Sequence, residues 1–153
     1  MKKEFEMSMV GELTFFLGLQ VKQKKEDIFI SQEKYARNIV KKFGLDSKKH
    51  ASIPMSSSTK LNVDSSGVEV SPTLYRSIIG SLLYLTAIRP DIAFSVGVCA
   101  RCQTAPMESH LTAMKRVIRY ISGTPKYRLW YSKDSNACLV SYSNVDWASS
   151  VDD

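Results

Sequence analysis

The sequence predicts an α+β fold with an N-terminal β-hairpin, about four helices in a central bundle and a C-terminal strand pair. Three observations carry that expectation. Residues 71–123 hold three apolar runs at helical spacing, punctuated by Pro90 and Pro106 and closed by Gly123. Residues 15–22 and 28–30 are apolar runs separated by a polar, charged stretch, as a hairpin requires. Residues 129–132 and 138–143 repeat the pattern near the other end, joined by a polar turn at 133–137.

In chain order, residues 15–22 read as one strand, and Gly18 within it marks a bulge or a close backbone approach. Residues 31–44 read as a helix, with Ser31 as N-cap and Gly44 at C′. Tyr35, Ile39, Val40 and Phe43 form its apolar stripe, while Lys34, Arg37, Lys41 and Lys42 take the opposite face. Residues 48–71 hold the loop-forming runs Ser56-Ser57-Ser58-Thr59 and Asp64-Ser65-Ser66-Gly67, with few apolar anchors. So long an irregular stretch predicts a mobile surface crossing or linker, docked locally by Ile53, Pro54 and Met55.

The first central helix opens with Ser71 as N-cap and Pro72 in its first turn. Its apolar positions 74, 75, 78, 79, 82, 83 and 85 cover more than one face, predicting the most buried helix, with Pro90 ending it. In the second, over residues 90–103, Ile92, Val96 and Cys99 recur at helical spacing. Phe94 and Val98 widen its apolar surface, and Gly97 permits close helix packing. The third, residues 106–122, turns Leu111, Met114, Val117, Ile118 and Ile121 inward. Lys115, Arg116 and Arg119 face outward, with His110 and Tyr120 at the margins, and Gly123 and Pro125 stop it.

At 153 residues the chain is one domain's worth, and 44% hydrophobic content supplies a core rather than a disordered segment. The formal charge of +6 is concentrated in residues 1–60, where Lys22, Lys24, Lys25, Lys41, Lys42, Lys48 and Lys49 favour a polyanionic partner. Met1-Lys2-Lys3 runs into a mixed acidic stretch, which does not read as a secretory leader. The longest apolar window is broken by Arg89-Pro90-Asp91, so no membrane partner is expected. Three cysteines, an odd number, argue against a disulfide framework and fit a reducing, intracellular compartment. Cys99 and Cys102 stand one turn apart, but a tetrahedral site needs about four ligands. Cys138, His50 and His110 offer none at a recognised spacing, so neither metal nor cofactor is expected. No Walker-type loop, nucleophile elbow or paired-histidine motif supplies another chemistry.

An ordered series of motifs adds a family resemblance. Glu4-Phe5-Glu6-Met7, Gly11-Glu12-Leu13 and Phe15-Phe16-Leu17-Gly18-Leu19 open it, followed by Gln32-Glu33-Lys34-Tyr35, Lys42-Phe43-Gly44 and Pro54-Met55. Tyr75-Arg76, Ile79-Gly80-Ser81-Leu82-Leu83-Tyr84-Leu85-Thr86 and Arg89-Pro90-Asp91-Ile92 form its centre, and Leu129-Trp130-Tyr131 with Tyr142-Ser143 and Trp147-Ala148 its end. Together they resemble copia-type retrotransposon reverse transcriptases, in the region after the polymerase palm, and the resemblance runs over nearly the whole chain.

The resemblance implies four regions. Residues 1–47 would end the palm with a primer-grip hairpin and the first thumb helix, and 48–71 would link. Residues 72–124 would form the helical thumb or connection region, and 125–153 would begin a ribonuclease H-like domain. It implies that Phe16, Leu17, Gly18 and Leu19 face primer backbone or support the loop that does, although an ordinary hairpin accounts for them as well. It implies phosphate contacts for Lys41 and Lys42 and for Lys115, Arg116 and Arg119. A solvated face or the negative C-terminal end of a helix explains the same cations without a partner.

The family's ribonuclease H pattern is Ser-Asp-Ala-Asp-Trp-Ala, where this chain has Ser143-Asn144-Val145-Asp146-Trp147-Ala148. Asn144 thus occupies the position of a metal-binding aspartate, and a neutral amide is a poor Mg²⁺ ligand. Asp146 remains, without a second carboxylate to complete a two-metal site. The terminal Val151-Asp152-Asp153 resembles a polymerase motif but stands at the wrong end of the chain for it. These features predict a piece of a reverse transcriptase polyprotein without catalytic residues of its own, making at most weak template–primer contact with RNA or DNA. The alternative is a folded module that binds another protein chain through its apolar helices.

Overall fold

The computed structural model describes residues 14–46, 49–57, 59, 61 and 67–132. In order these hold β1 (Phe15–Phe16), β2 (Leu19–Gln23), β3 (Asp27–Ser31), α1 (Glu33–Lys42), α2 (Pro72–Leu85), α3 (Pro90–Arg101), α4 (Glu108–Gly123) and β4 (Arg128–Ser132). The α+β class is as predicted. The strands form one antiparallel sheet in the order β1-β2-β3-β4. The helices close on one another, α1 against α4 and α2, and α3 against α2 and α4, and the sheet shares few contacts with them.

The run 15–22 is two strands rather than one. Leu17 and Gly18 take φ of 49° and 79°, and Phe15 pairs with Gln20 across them. Two successive left-handed residues make the tight turn that matches strand twist. Glycine accepts this freely, whereas leucine there is strained. Ser31 does not cap α1. It ends β3, paired with Gln20 and Arg128, and the capping position falls to Gln32, whose side chain makes no cap bond. The C-terminal end of α1 is as expected. Leu45 N–H donates to Val40 O and Gly44 N–H to Lys41 O, both at 3.1 Å, with Gly44 at φ 65°.

Ser71 caps α2, its Oγ accepting from Leu74 N–H at 3.4 Å, with Pro72 in the first turn. The helix ends at Leu85 rather than running to Pro90, and Pro90 instead opens α3. Nor is α2 buried all round. Tyr75, Ile78, Ile79, Leu82 and Leu85 are inside, whereas Leu74, Leu83 and Tyr84 are exposed. Phe94 of α3 is exposed too, and Gly97 has open space where a Cβ would stand, so it mediates no close packing. Helical period shows which residues can share a face, and the neighbours present decide which faces are covered.

The core is the fully buried set Tyr75, Leu82, Leu85, Ile92, Val96, Cys99, Met114, Val117 and Ile121, with Ile39 and Val40 of α1 closing one side. Tyr75 Oη donates to Cys99 O at 2.8 Å, which satisfies its hydroxyl inside this core. Cys99 is a buried packing residue, and burial together with the Cys102 thiol pushes its own thiol up to about 12. His110 is likewise buried, with Nδ1 accepting from Met107 N–H at 3.0 Å at the start of α4.

The segment predicted as a loose linker is docked wherever it is described. Val70 N–H donates to Pro106 O and Glu108 N–H to Val68 O, each at 2.9 Å, around a bridge between Glu69 and Met107. Met55 and Leu61 pack against the core. At the C-terminal side, β4 finds its partner in β3 rather than in a strand beside it in sequence. The predicted strand 138–143 lies outside the described residues.

Candidate nucleic-acid interface

The hairpin turn is built by local backbone geometry and held by one side chain. Tyr84, at the end of α2, donates its hydroxyl to Leu17 O. Its ring meets Tyr35 edge-on at 4.8 Å, Tyr35 Oη donates to Ser81 O at 3.1 Å, and Gln32 Nε2 donates to Tyr84 O at 3.1 Å. The turn is thereby tied to both α1 and α2. A Cβ on Gly18 would lie 2.5 Å from Tyr84 Oη, so the close approach expected at Gly18 is real. Phe16, Leu17 and Gly18 are exposed and Leu19 half-buried; Leu17, at 74%, projects an apolar side chain into solvent from a strained position.

Lys41 and Lys42 are exposed at the C-terminal end of α1, where cations meet the negative end of the helix dipole. Lys42 Nζ lies 5.2 Å from the Phe43 ring. Lys41 borders a cleft between the ends of α1 and α4, together with Arg37, Asp46 and Ser122.

On α4, Lys115 is exposed, as predicted from the helix face, but Arg116 and Arg119 are half-buried. The cause is the segment 49–57, which crosses the outer face of the helix. His50 lies where a Cβ on Gly123 would touch it at 3.0 Å, and Arg116 Nε donates to Ile53 O at 3.3 Å. Pro54 and Met55 then border Ser109, Thr112 and Ala113 at the other end. Arg116 and Arg119 line an open depression of about 570 Å³ with Lys49, His50, Ala51 and Ser52. The crossing therefore adds Lys49 to the α4 cations and sets the His50 ring beside them. Nothing in local periodicity signals this, because the two stretches are far apart in sequence.

Arg89 has another role that its charge conceals. It is 2% exposed, with Nε and Nη2 donating to the Asp91 carboxylate at 2.9 and 2.8 Å. Its fork also donates to Thr124 O at 2.9 Å and to Thr124 Oγ1 at 2.7 Å. The guanidinium lies 5.6 Å from the Tyr120 ring and 4.7 Å from the Tyr127 ring, and Tyr120 Oη donates to Asp91 at 3.0 Å. Burial alone would raise the Asp91 carboxyl, yet hydrogen bonds and charge from Arg89 and the Tyr120 hydroxyl hold it below the usual carboxylate range. Arg89 thus pins the α2–α3 junction to the end of α4.

Among the described residues, no group of three or more His, Cys, Asp or Glu side chains could hold a metal ion, and no helix is long and apolar enough to cross a membrane. Asn144 and Asp146 lie outside the described residues.

Comparisons with known proteins agree with the motif series. The family described as reverse transcriptase (RNA-dependent DNA polymerase) matches residues 1–57. Over 153 residues the chain is 35% identical to the Retrovirus-related Pol polyprotein from transposon RE1 of Arabidopsis thaliana, covering 100% of this chain and 10% of the polyprotein. It is 30% identical to the corresponding polyprotein from transposon TNT 1-94 of Nicotiana tabacum, over 99% of this chain and 12% of that protein. Against the uncharacterized mitochondrial protein AtMg00810 of Arabidopsis thaliana it is 35% identical over 145 residues, 94% of this chain and 60% of that one. No solved structure matches the chain. It spans about a tenth of the length of the Pol polyproteins it matches; its likeness to them runs over the whole chain, and the reverse-transcriptase family match falls on residues 1–57 of it.

Proposed function

We propose that this stretch contacts a template–primer duplex through the outer face of α4 and the β1–β2 turn, and carries no catalytic group of its own. The observation that carries the reading is the grouping of Lys49, Arg116 and Arg119 around one open depression, with Lys115 exposed on the same helix. Cations gathered on one face suit the phosphates of a duplex, whose contacts position the strand without reading its sequence. The exposed turn at Phe16, Leu17 and Gly18 supports a primer-grip role, because a strained apolar tip held by Tyr84 presents a fixed backbone to a partner.

In this reading residues 1–47 end a palm, 48–71 link, 72–124 form a thumb or connection region and 125–153 lead into a ribonuclease H-like domain. The pairing of β4 with β3 favours placing that last boundary after Ser132. Asn144, standing where the family carries an aspartate, supports an inactive metal site.

The test is binding of a fluorescent primer–template duplex across a salt series, beside a variant with Lys115, Arg116 and Arg119 changed to alanine. Binding that falls steeply with salt, with a slope reduced by roughly 3 in the variant, is expected. No binding at low salt would overturn the reading. A second reading, docking of another protein chain, is favoured by the exposed Phe15, Phe16 and Leu17 together with Leu83 and Phe94. Concentration-dependent association of the purified chain in sedimentation would support it.

A further inference from the structure

One cross-strand row of the sheet brings together Lys22 of β2, Phe29 of β3 and Trp130 of β4, each directly opposite the next. Directly opposed residues share a face. Two more cations reach that face, with Lys24 Nζ 5.4 Å and Arg128 Cζ 5.8 Å from the Phe29 ring centroid. Trp130 is 62% exposed, and Lys22, Lys24 and Arg128 are exposed as well. Asp27, opposite Ser132 in the same alternation, is the acidic residue of this face. The row behind, Val21, Ile30 and Leu129, is half-buried and uncharged. The sheet thus sorts its cations and its open indole to one side.

The geometry points to a site for single-stranded nucleic acid on this face, with a base stacked on Trp130 and the flanking phosphates on Lys22, Lys24 and Arg128. An exposed indole offers a π-face to any base, and cations around it track the backbone. Arg128 and Trp130 are two residues apart on β4, about 7 Å along the strand, a spacing that lets one nucleotide span ring and guanidinium. The inference goes beyond the duplex reading, since it uses other elements and requires unpaired bases.

The test uses the full chain with Trp147→Phe, which leaves Trp130 as its one tryptophan. Titration with oligothymidylate at low salt is expected to quench Trp130 fluorescence to saturation, with a log–log salt slope near about −2 for three phosphate contacts. By anisotropy, Trp130→Ala weakens oligothymidylate binding about tenfold, whereas Trp130→Phe keeps most of it. Changing Lys22, Lys24 and Arg128 to glutamine flattens the salt slope, and the α4 triple-alanine variant leaves it unchanged. Thermal melting of each variant separates lost binding from lost fold. Absence of quenching at low salt, or equal binding by Trp130→Ala, would overturn the site. Quenching that tracks protein concentration without oligonucleotide would also overturn it, by showing that another chain covers this face. Blunt duplex bound without quenching, beside oligothymidylate that does not bind, would sink this site and leave the duplex reading standing. Quenching by oligothymidylate with no duplex binding would do the reverse.

Discussion

Replacing Arg89 with methionine removes a buried charge while keeping most of its volume. The change strips two donors from Asp91 and two from Thr124, and removes the cation between Tyr120 and Tyr127. Breaking a buried ion pair costs about 3–5 kcal/mol, because the remaining charge is left without its partner. Here the Asp91 side chain is 20% exposed, so water relieves part of that penalty and the lower end, about 3 kcal/mol, applies. For a chain of this size, at about 2–4 °C per kcal/mol, the midpoint falls by roughly 6–12 °C. Circular dichroism melting at neutral pH measures it. Arg89→Lys, which keeps the charge but not the planar fork, is expected between the two. In a double-mutant cycle with Asp91→Asn, the coupling is expected to exceed about 1 kcal/mol. A midpoint for Arg89→Met within about 2 °C of the parent would refute the view that this network joins α3 to the end of α4.

Three further outcomes follow from the same geometry. The folded Asp91 carboxyl lies below its usual range, so its stabilising share is fully present above the unfolded value near about 4 and is lost as pH falls through the lower folded value; Arg89→Met is expected to flatten that acid limb in urea titrations taken at successive pH values. Gly18→Ala is expected to lower the urea-derived stability by about 1–2 kcal/mol for its left-handed φ alone. The methyl contact with Tyr84 Oη adds to this, and part of the loss is recovered in Gly18→Ala/Tyr84→Phe. With its thiol held near about 12 by burial, Cys99 is expected to resist a thiol reagent at pH 8 until denaturant is added. Rapid native-state labelling in a variant keeping only Cys99 would contradict its placement in the core.

How legible the site was depends on the distance over which each feature is decided. Gly18 was readable, because a glycine inside an apolar strand run signals an unusual backbone, though not that Leu17 would share the left-handed turn. The cations of α4 were readable as a face. Their partial burial was not, because it comes from residues 49–57 lying across that face. Arg89 read as a helix breaker's neighbour, since a charged residue before a proline carries no local sign that Thr124, Tyr120 and Tyr127 converge on it. Lys22, Phe29 and Trp130 read as residues of separate strands, and only register makes them one row.

By itself the sequence determined the four helices, the starts of α2 and α3 and the close of α1, because Ser71, Pro72, Pro90 and Gly44 act on backbone torsions within a few residues of themselves; the third central helix instead starts two residues after Pro106 and takes in Gly123. It also carried the likeness to retrotransposon Pol polyproteins, since the motif series runs in order over nearly the whole chain. Only tertiary structure decided that β4 would join the N-terminal hairpin, that α2 and α3 would leave Leu83 and Phe94 uncovered, and that a polar crossing would cover Arg116. Those outcomes depend on which distant surfaces meet, and a local pattern of apolar and polar residues specifies a face without specifying its partner.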